Sequence, residues 1–321
     1  SVATLNGTLV EGISASGVSV DIAYTGGNGG PHNGQTINAT AFSAVTGLTA
    51  ELSAGNFANG AGILTYTISG TPIGSGTASF LIDIGGQWCV LGISVESGSI
   101  TSLDCSVATL NGTLVEGISA SGVSVDIDYT GGNGGPYNGL SINSTGVTGL
   151  TADLTTNNFA SGAGVLSFII SGTPVSSGTA SFAINIGGQN CVLDIIVESG
   201  VIASLDCSNS ILNGTLMEQT LASGVSVDID YTGGNGGPYN GLSINSTGVT
   251  GLTADLTANN FASGAGVLSF TISGTPVSSG TASFAINIGG QNCVLDIIVE
   301  SGSIASLDCS NSILNGTLME Q

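Results

Sequence analysis

Internal repetition constrains this chain more than any other feature of its sequence. Residues 106–207 and 208–309 align without a gap at a period of 102 and differ at only 10 positions. Residues 1–105 form a third, more divergent repeat, with three extra residues in the range 39–46. The coils of a solenoid have a far shorter period, whereas about 100 residues can enclose a hydrophobic core of their own. The sequence therefore predicts separate domains in a row.

The last twelve residues begin the same pattern again. Residues 310–321 repeat residues 208–219 letter for letter. Two explanations are open at this point. The sequence is a window on a longer tandem array, or its last segment is a donor strand that completes the next molecule of a polymer.

Strict alternation of apolar and polar residues is the dominant local pattern. In the second repeat it places Val123, Val125, Ile127 and Tyr129 on one face of a strand and Ser124, Asp126 and Asp128 on the other. The same period of two recurs at Leu150, Ala152 and Leu154, at Leu166, Phe168 and Ile170, at Phe182, Ile184 and Ile186, and at Cys191, Leu193, Ile195 and Val197. Gly-rich segments separate these strands, and the pair Gly187 and Gly188 predicts a tight hairpin. Roughly six to eight short strands per repeat are typical of an antiparallel β-sandwich of the immunoglobulin-like type.

The predicted domain boundaries fall where one strongly apolar strand ends and another begins. We place immunoglobulin-like domains at residues 1–98, with the first strand missing, at 99–200 and at 201–302, and the first strand or strands of a fourth, truncated domain at 303–321. The junctions have only about three residues, which leaves little slack between neighbours. We therefore expect tandem domains arranged as a rod.

The charge of the chain excludes several classes of function. There is no Lys or Arg, and 21 Asp and Glu residues give a formal net charge of -21 at pH 7. Such a chain cannot offer the basic surface that nucleic acids or anionic membranes require. Ser, Thr, Gly or Asn interrupt every apolar run, so we expect no membrane insertion. With one His and no Lys, general bases are scarce, and we expect no enzymatic activity and no cofactor.

Several phrases of the second repeat resemble a known group of surface proteins. They are found at residues 129–136 (YTGGNGGP), 148–152 (TGLTA), 170–174 (ISGTP), 178–182 (GTASF) and 186–191 (IGGQNC). Together they resemble the tandem repeats of very large surface proteins of Bacteroidota, including gliding-type adhesins that the type IX system secretes, and residues 166–184 are similar to immunoglobulin-like domains of bacterial surface proteins. The resemblance implies an extracellular or cell-surface filament for attachment, motility or cell capture, without enzymatic activity. The type IX sorting domain is not in this sequence.

The six cysteines occur as two per repeat, which favours disulfides in a secreted chain. Two pairings are open. Cys105 with Cys191 and Cys207 with Cys293 would each join the first and last strands of one domain, which lie side by side in immunoglobulin-like folds, and we favour this pairing. The alternative joins neighbours across the junctions, as Cys89–Cys105, Cys191–Cys207 and Cys293–Cys309.

Pairs of aspartates two positions apart are the only metal candidates. They are Asp126 with Asp128 and Asp228 with Asp230, each beside a Gly-rich loop whose carbonyls could help to bind Ca²⁺. The first repeat has Asp21 followed by Ala23. An exposed polar strand face explains these pairs more simply, so we assign no metal site. The Gly-rich loop itself, residues 130–139, reads as a glycine-permitted turn with Pro136 and Tyr137 packing at its end.

Two functions remain. The first is the shaft of an extracellular filament or adhesin, with self-association into a homo-oligomeric fibre and contact with other cell surfaces through parts outside this sequence. Ile196, which alternation exposes, and the abundant Ser, Thr and Gly form a smooth, weakly charged surface for bundling. Because the net negative charge opposes bundling at low salt, we expect bundling to depend on ionic strength or divalent cations. The second is a carbohydrate- or cell-surface-binding module that acts through its loops. Binding usually needs aromatic anchors, and Trp88 is the only Trp.

Overall fold

The computed structural model describes residues 3–40, 43–304, 306–307 and 309–310, and these residues form β-strands and loops without any helix. The chain divides into two compact units, Ser1–Leu114 with Ser119–Val197 and Val115–Ile118 with Glu198–Gln321. The described residues contain three separate hydrophobic cores, one for each repeat. We call the structures around them the first, second and third sandwich. The first two belong to the first unit and the third to the second unit.

Each sandwich is built from short antiparallel strands. The first contains β1 Thr4–Asn6, β2 Val18–Asn28, β3 Pro31–His32, β4 Gln35–Asn38, β5 Thr46–Leu52, β6 Gly55–Asn56, β7 Asn59–Ile73, β8 Gly76–Ile84 and β9 Gln87–Val95. The second contains β10 Ser102–Asn111, β11 Val123–Asn133, β12 Pro136–Tyr137, β13 Leu140–Asn143, β14 Thr145–Gly146, β15 Leu150–Leu154, β16 Asn157–Asn158, β17 Ser161–Gly172, β18 Gly178–Ile186 and β19 Gln189–Val197. The third contains β20 Ser204–Asn213, β21 Val225–Asn235, β22 Pro238–Tyr239, β23 Leu242–Asn245, β24 Thr247–Gly248, β25 Leu252–Leu256, β26 Asn259–Asn260, β27 Ser263–Gly274, β28 Gly280–Ile288 and β29 Gln291–Val299.

The second sandwich shows the topology that the third repeats and that the first shares except for the short strand β14. Its larger sheet has the order β10-β11-β17-β15-β13, and its smaller sheet has the order β14-β18-β19. The short pair β12-β16 lies beside them. After the first strand, the chain crosses to the smaller sheet, where Val115 forms a parallel bridge with Glu198. The structure thus confirms the predicted all-β, immunoglobulin-like sandwich fold.

Alternation decides which side chains enter the core. On β11, Val123, Val125, Ile127 and Tyr129 are buried, while Asp128 between them is exposed. Phe168 from the larger sheet and Phe182 from the smaller sheet are fully buried in the same core. The hairpin between β18 and β19 turns at Gly187 and Gly188, both with positive φ, as the sequence predicts. Each sandwich therefore has a hydrophobic core of its own.

A bulge in the first strand brings the two sheets together at one edge. On β10 the register moves from Asp104 opposite Asp128 to Thr109 opposite Asp126, so four residues of β10 stand opposite one residue of β11. Cys105 is the first of the four, and its disulfide to Cys191 joins β10 to the last strand of the smaller sheet. The third sandwich has the same shift between Asp206 and Ile211 and joins Cys207 to Cys293. The disulfides thus close each of these two sandwiches at the edge between the sheets.

A buried tyrosine fixes the end of β11. The Tyr129 hydroxyl accepts a hydrogen bond of 2.6 Å from the backbone N–H of Ala160, and the ring meets Phe159 edge-on with 5.4 Å between centroids. Tyr24 and Tyr231 hold Ala58 and Ala262 at the same distance. In all three sandwiches, this tyrosine therefore anchors its strand to the residue directly before the neighbouring strand β7, β17 or β27.

The domain boundaries at 1–98, 99–200, 201–302 and 303–321 remain predictions. Most of residues 303–321 lie outside the described residues, and those that are described, up to 310, are not in strands. In the first sandwich, β1 covers only the part of the first strand that follows the bulge in β10. The described residues of that sandwich contain two strands in the smaller sheet, β8 and β9.

Candidate functional site

The Gly-rich segment at residues 130–136 includes the end of β11, the turn at Gly134 and Gly135 and the first residue of β12, and we call it the Asn loop. The residue that follows the loop, Tyr137, packs on Phe159 with 4.7 Å between ring centroids, and this contact holds the end of the loop in place. Burial of Tyr137 raises the pKa of its hydroxyl above the ordinary value. The loop is thus a fixed platform on the second sandwich.

Asn133 in this loop binds the segment that joins the first two sandwiches, residues 97–101, which we call the connector. Its side-chain Nδ2 donates to the carbonyl of Ser97 at 2.8 Å. Its Oδ1 accepts from the backbone N–H of Ser99 at 3.0 Å, and the Asn133 backbone N–H donates to the Ser99 carbonyl at 3.1 Å. The same Oδ1 also accepts from Gly135 N–H at 3.0 Å. One amide side chain therefore holds the connector and its own loop together.

The backbone of the connector lies very close to the Asn loop, and we call these two segments together the joint. A Cβ on Gly98 would lie 2.0 Å from the carbonyl oxygen of Pro136, so only glycine fits there. Val10 of the first sandwich reaches the other side of the loop, where a Cβ on Gly135 would lie 2.7 Å from its Cγ1. Val10 is itself held in place by its parallel bridge to Glu96 at the end of the last strand. The loop therefore contacts both the connector and the body of the preceding sandwich.

The connector continues into the core of the second sandwich. Ile100 is only 4% exposed, and its backbone N–H donates to the Gly187 carbonyl at 3.0 Å. Thr101 N–H donates to the Thr130 carbonyl at 2.9 Å. The connector is thus part of the fold and not a free linker.

The second unit contains an equivalent set of contacts. Asn235 Nδ2 donates to the Ser199 carbonyl at 2.8 Å, and its Oδ1 accepts from Val201 N–H at 3.1 Å. A Cβ on Gly200 would lie 2.1 Å from the Pro238 carbonyl oxygen. In the first sandwich, Asn28 occupies the same loop position, and its Oδ1 accepts from Gly30 N–H at 2.9 Å. The chain therefore contains two engaged Asn loops and one that contacts only its own loop.

The sequence predicts a turn over residues 130–139, but β11 extends to Asn133 and Pro136–Tyr137 forms β12, so the turns are confined to residues 134–135 and 138–139. Tyr137 packs on Phe159 as expected, and the joint is not predicted. The available signal is an Asn flanked by glycines at the same place in each repeat, together with a Gly in each connector. In the second and third repeats, the Asn binds the connector that precedes its own sandwich. The hydrogen bonds between the Asn loop and the connector come from the Asn133 amide and from backbone groups, which can position the two segments.

The cysteines lie where the favoured pairing places them. Cys105 bonds Cys191 and Cys207 bonds Cys293, each across 86 residues. The alternative, Cys89–Cys105, Cys191–Cys207 and Cys293–Cys309, is wrong, because the bulge turns the first-strand cysteine toward the last strand of its own sandwich. Cys89 and Cys309 are exposed and unbonded.

The aspartate pairs proposed for Ca²⁺ lie on an exposed strand face and already have partners. Asp126 accepts from Ser167 Oγ at 2.5 Å and from Asn111 Nδ2 at 3.1 Å, and Asp228 has the equivalent partners in the third sandwich. Asp128 and Asp230 each stand opposite another aspartate of the first strand. In the described part of the chain, no three His, Cys, Asp or Glu side chains come close enough together to hold a metal ion. These pairs therefore remain candidates without a third ligand of these types.

Asp206, one residue before a disulfide cysteine, offers a test by pH. Hydrogen bonds from the side chains of Ser208 and Asn209, and from their backbone N–H groups, hold the pKa of its carboxyl below the usual value. A lowered folded-state pKa contributes stability above the unfolded-state pKa of about 3.9, and that contribution is lost as the pH falls through the folded value. We expect the carboxyl carbon of Asp206, followed by NMR, to titrate below pH 3.9. An Asp206→Asn variant should lose this titration, and a titration at or above the ordinary value would contradict the assignment.

Comparison with known proteins gives distant structural likenesses. No protein-family profile matches the chain, and no curated protein matches its sequence. Among solved structures, the Escherichia coli adhesin FdeC has a TM-score of 0.32 at 16% identity over 94% of this chain and 96% of that one. InvD of Yersinia pseudotuberculosis has a TM-score of 0.27 at 14% identity over 94% and 98%. Invasin, a bacterial integrin-binding protein, has a TM-score of 0.32 at 12% identity, and the match spans 94% of this chain but 60% of invasin.

The described residues contain no helix with the length and hydropathy needed to cross a bilayer.

Proposed function

We propose that this chain is part of the shaft of an extracellular bacterial filament or adhesin. The observation that carries the proposal is the joint at Asn133, where the connector is hydrogen-bonded and packed along its length. A shaft has to keep successive domains in register under load, and a clamped connector does this better than a flexible one. Each sandwich also has its own core, so that domains can be added in series without loss of stability.

The disulfides, the composition and the packed aromatic residues also support an extracellular shaft. Two intramolecular disulfides are typical of an oxidising compartment outside the cytosol. The absence of Lys and Arg removes the cleavage sites of trypsin-like proteases. The aromatic side chains next to the Asn loop contact each other, since Tyr137 and Phe159 pack together. These features favour a mechanical role over recognition of a ligand by this loop.

We extend the proposal to the biology that the sequence resemblance implies. The shaft would belong to a Bacteroidota surface protein secreted by the type IX system, used in attachment, motility or cell capture. Other parts of that protein would contact the target cell, and several shafts would associate side by side into a fibre. The rod shape and the bundling are predictions that follow from the tandem order and the weakly charged surface.

The joint supplies the test of the proposal. An Asn133→Ala variant removes both bonds of the side chain to the connector and its bond to Gly135, with an expected cost of about 2–3 kcal/mol at the joint. We expect the first two sandwiches to move more freely while each stays folded. The measurement is electron–electron double resonance between spin labels on Cys89 and on a Thr155→Cys substitution, in a Cys309→Ser background. The distance distribution between the two labels should be broader in the Asn133→Ala variant than in the protein with Asn133.

Asn28→Ala is the matched control for this experiment. Asn28 has the same loop environment, but its Oδ1 bonds only Gly30 in its own loop. The distribution between the two labels should therefore stay as narrow as in the parent protein. An Asn133→Ala variant with an unchanged distribution would show that the Asn loop does not stiffen the joint, and the shaft proposal would lose its main support.

A further inference from the structure

The disulfide of the second sandwich lies in the wall of an open cavity. The cavity has a volume of about 400 Å³, and both Cys105 and Cys191 line it. Each of the two cysteines is half-buried, and the residues that follow them, Ser106 and Val192, are exposed and also line the cavity. The disulfide is therefore accessible to a small molecule while the sandwich stays folded.

Two carboxylates line the same cavity, one from each of the strands that the disulfide joins. Asp104 comes directly before Cys105 on β10, Asp194 follows Cys191 on β19, and both aspartates are exposed.

Hydrogen bonds hold both carboxylates in place. The Ser106 hydroxyl and backbone N–H donate to Asp104 Oδ1 at 2.6 and 3.0 Å, and the Ser181 hydroxyl donates to Asp194 Oδ1 at 2.6 Å. The bonds from Ser106 hold the pKa of the Asp104 carboxyl below its usual value. Asp104 is therefore ionised at any pH at which thiols form thiolates.

The third sandwich has the same arrangement. Its cavity has a volume of about 630 Å³, and Cys207, Cys293, Asp206 and Asp296 line it. The sequence contains no Lys or Arg that could balance these carboxylates, and the net charge of the chain is -21. The electrostatic potential at both disulfides is therefore negative.

We propose that the two cavities are sites of thiol–disulfide exchange that select the attacking thiol by its charge. The attacking species is a thiolate, which has a negative charge of its own. A thiolate that also carries a carboxylate or sulfonate is repelled from the cavity. A thiolate that carries an ammonium group has no net charge and enters without this repulsion. The disulfides are thus protected from anionic thiols and reactive toward zwitterionic ones.

Each exchange consists of two displacements. In the second sandwich, a thiolate attacks the Sγ of Cys105 or Cys191, the S–S bond breaks, and the other cysteine leaves as a thiolate. A second thiolate then attacks the mixed disulfide, which releases the remaining cysteine and the disulfide of the reagent. The reagent supplies both electrons, and the protons that its two thiols lost are taken up by the two cysteine thiolates. Exchange thus removes the covalent link between β10 and the smaller sheet.

The test compares two small thiols of different charge on the full chain, in a Cys89→Ser and Cys309→Ser background. Cysteamine forms a zwitterionic thiolate, and 2-mercaptoethanesulfonate forms a thiolate with two negative charges. Each rate is divided by the rate of the same thiol with uncharged 2-hydroxyethyl disulfide, which corrects for thiolate content and nucleophilicity.

At low ionic strength, the corrected rate should be at least about tenfold higher for cysteamine than for 2-mercaptoethanesulfonate. The ratio of the two corrected rates should approach one at high salt, because the Debye length falls from about 30 Å at 0.01 M to about 3 Å at 1 M. A ratio of one at low ionic strength would overturn the proposal.

Alkylation of the released thiols assigns each rate to its disulfide. A protease that cuts after Glu places Cys105, Cys191, Cys207 and Cys293 in four different peptides, so mass spectrometry can follow the two disulfides separately. The rates should rise in proportion to the thiol concentration, as direct attack on the folded protein requires. Rates that are independent of the thiol concentration would mean that the disulfides react only after unfolding, and would also overturn the proposal.

The double substitution Asp104→Asn and Asp194→Asn removes the charges from the cavity of the second sandwich. Asparagine keeps an acceptor oxygen for Ser106 and Ser181, so the sandwich should fold as before. The ratio at the disulfide of the second sandwich should fall at least about threefold. The fall should be smaller at the disulfide of the third sandwich, whose own cavity is unchanged.

Asp153→Asn with Asp255→Asn is the matched control. It changes the net charge by the same amount, but these aspartates lie on β15 and β25 of the larger sheets and line neither cavity. The ratios should stay as in the parent protein. An unchanged ratio in the cavity variant, or an equal fall in the control, would show that the cavity carboxylates do not select the thiol. That failure would leave the shaft proposal standing, since it depends on the joint and not on the disulfides.

Discussion

Removal of the disulfide from the second sandwich, by the double substitution Cys105→Ser and Cys191→Ser, should destabilise that sandwich by about 4 kcal/mol. The bond closes a loop of 86 residues, and chain-entropy reasoning gives a large effect for a loop of this length. It is also the covalent link between the bulged first strand and the smaller sheet. For a domain of this size, the change corresponds to a fall in melting temperature of about 20 °C. Calorimetry of the full chain should resolve it as one transition that moves away from the others.

The first sandwich provides the control for this measurement. Its cysteine, Cys89, is unbonded, so a Cys89→Ser variant should melt as the parent protein does. A reductant should likewise lower the melting of the second and third sandwiches and leave the first unchanged. A double variant that melts with the parent protein would mean that packing alone holds the edge of the sandwich.

The features that could be predicted from the sequence are those with a local signature. Alternation over five to seven residues identifies a strand and its buried face together, because successive side chains point to opposite sides. Val123, Val125 and Ile127 are buried for this reason, and Ile196 is 63% exposed. The Gly187–Gly188 hairpin is equally local, since a two-residue turn of this type needs positive φ at both positions.

The prediction of the cysteine pairing required an assumption about the fold in addition to the local sequence pattern. Spacing alone allows both pairings, and the choice between them came from the expected neighbourhood of the first and last strands. What the sequence could not give is the bulge that makes this pairing possible. Register shifts depend on how both strands pack, and nothing in residues 105–108 marks them as an interruption of β10.

The joint was missed because its partners lie in different sandwiches. Asn133 and Gly98 are 35 positions apart in sequence, and each has a sufficient local explanation, a turn residue in one case and part of a short domain junction in the other. Only the structure shows that the glycine is required because Pro136 lies against it. A glycine-rich loop with an Asn at its centre is common enough that the sequence alone does not distinguish a turn from a docking platform.

Gly164→Ala should be among the most damaging single substitutions in the second sandwich. A Cβ at this position would lie 2.3 Å from the hydroxyl oxygen of Tyr129 and 2.4 Å from its Cζ. The ring cannot move aside without cost, because it is 4% exposed, packs on Phe159 and accepts the N–H of Ala160. Displacement would leave that N–H without its partner and disturb the core, for an expected loss of about 2–4 kcal/mol. Thermal unfolding of the full chain measures this loss.

Two further variants separate the clash from other effects of the new methyl group. Gly302→Ala makes the same change where no atom lies within 4 Å of the added Cβ, and it should leave unfolding unchanged. Tyr129→Phe removes only the hydrogen bond and should cost about 1 kcal/mol. If the tyrosine is the reason that position 164 must be glycine, Gly164→Ala should cost less in a Tyr129→Leu background than in the parent protein, because the two residues are in contact. Additive losses would show that the backbone at Gly164, and not its approach to the ring, sets the requirement.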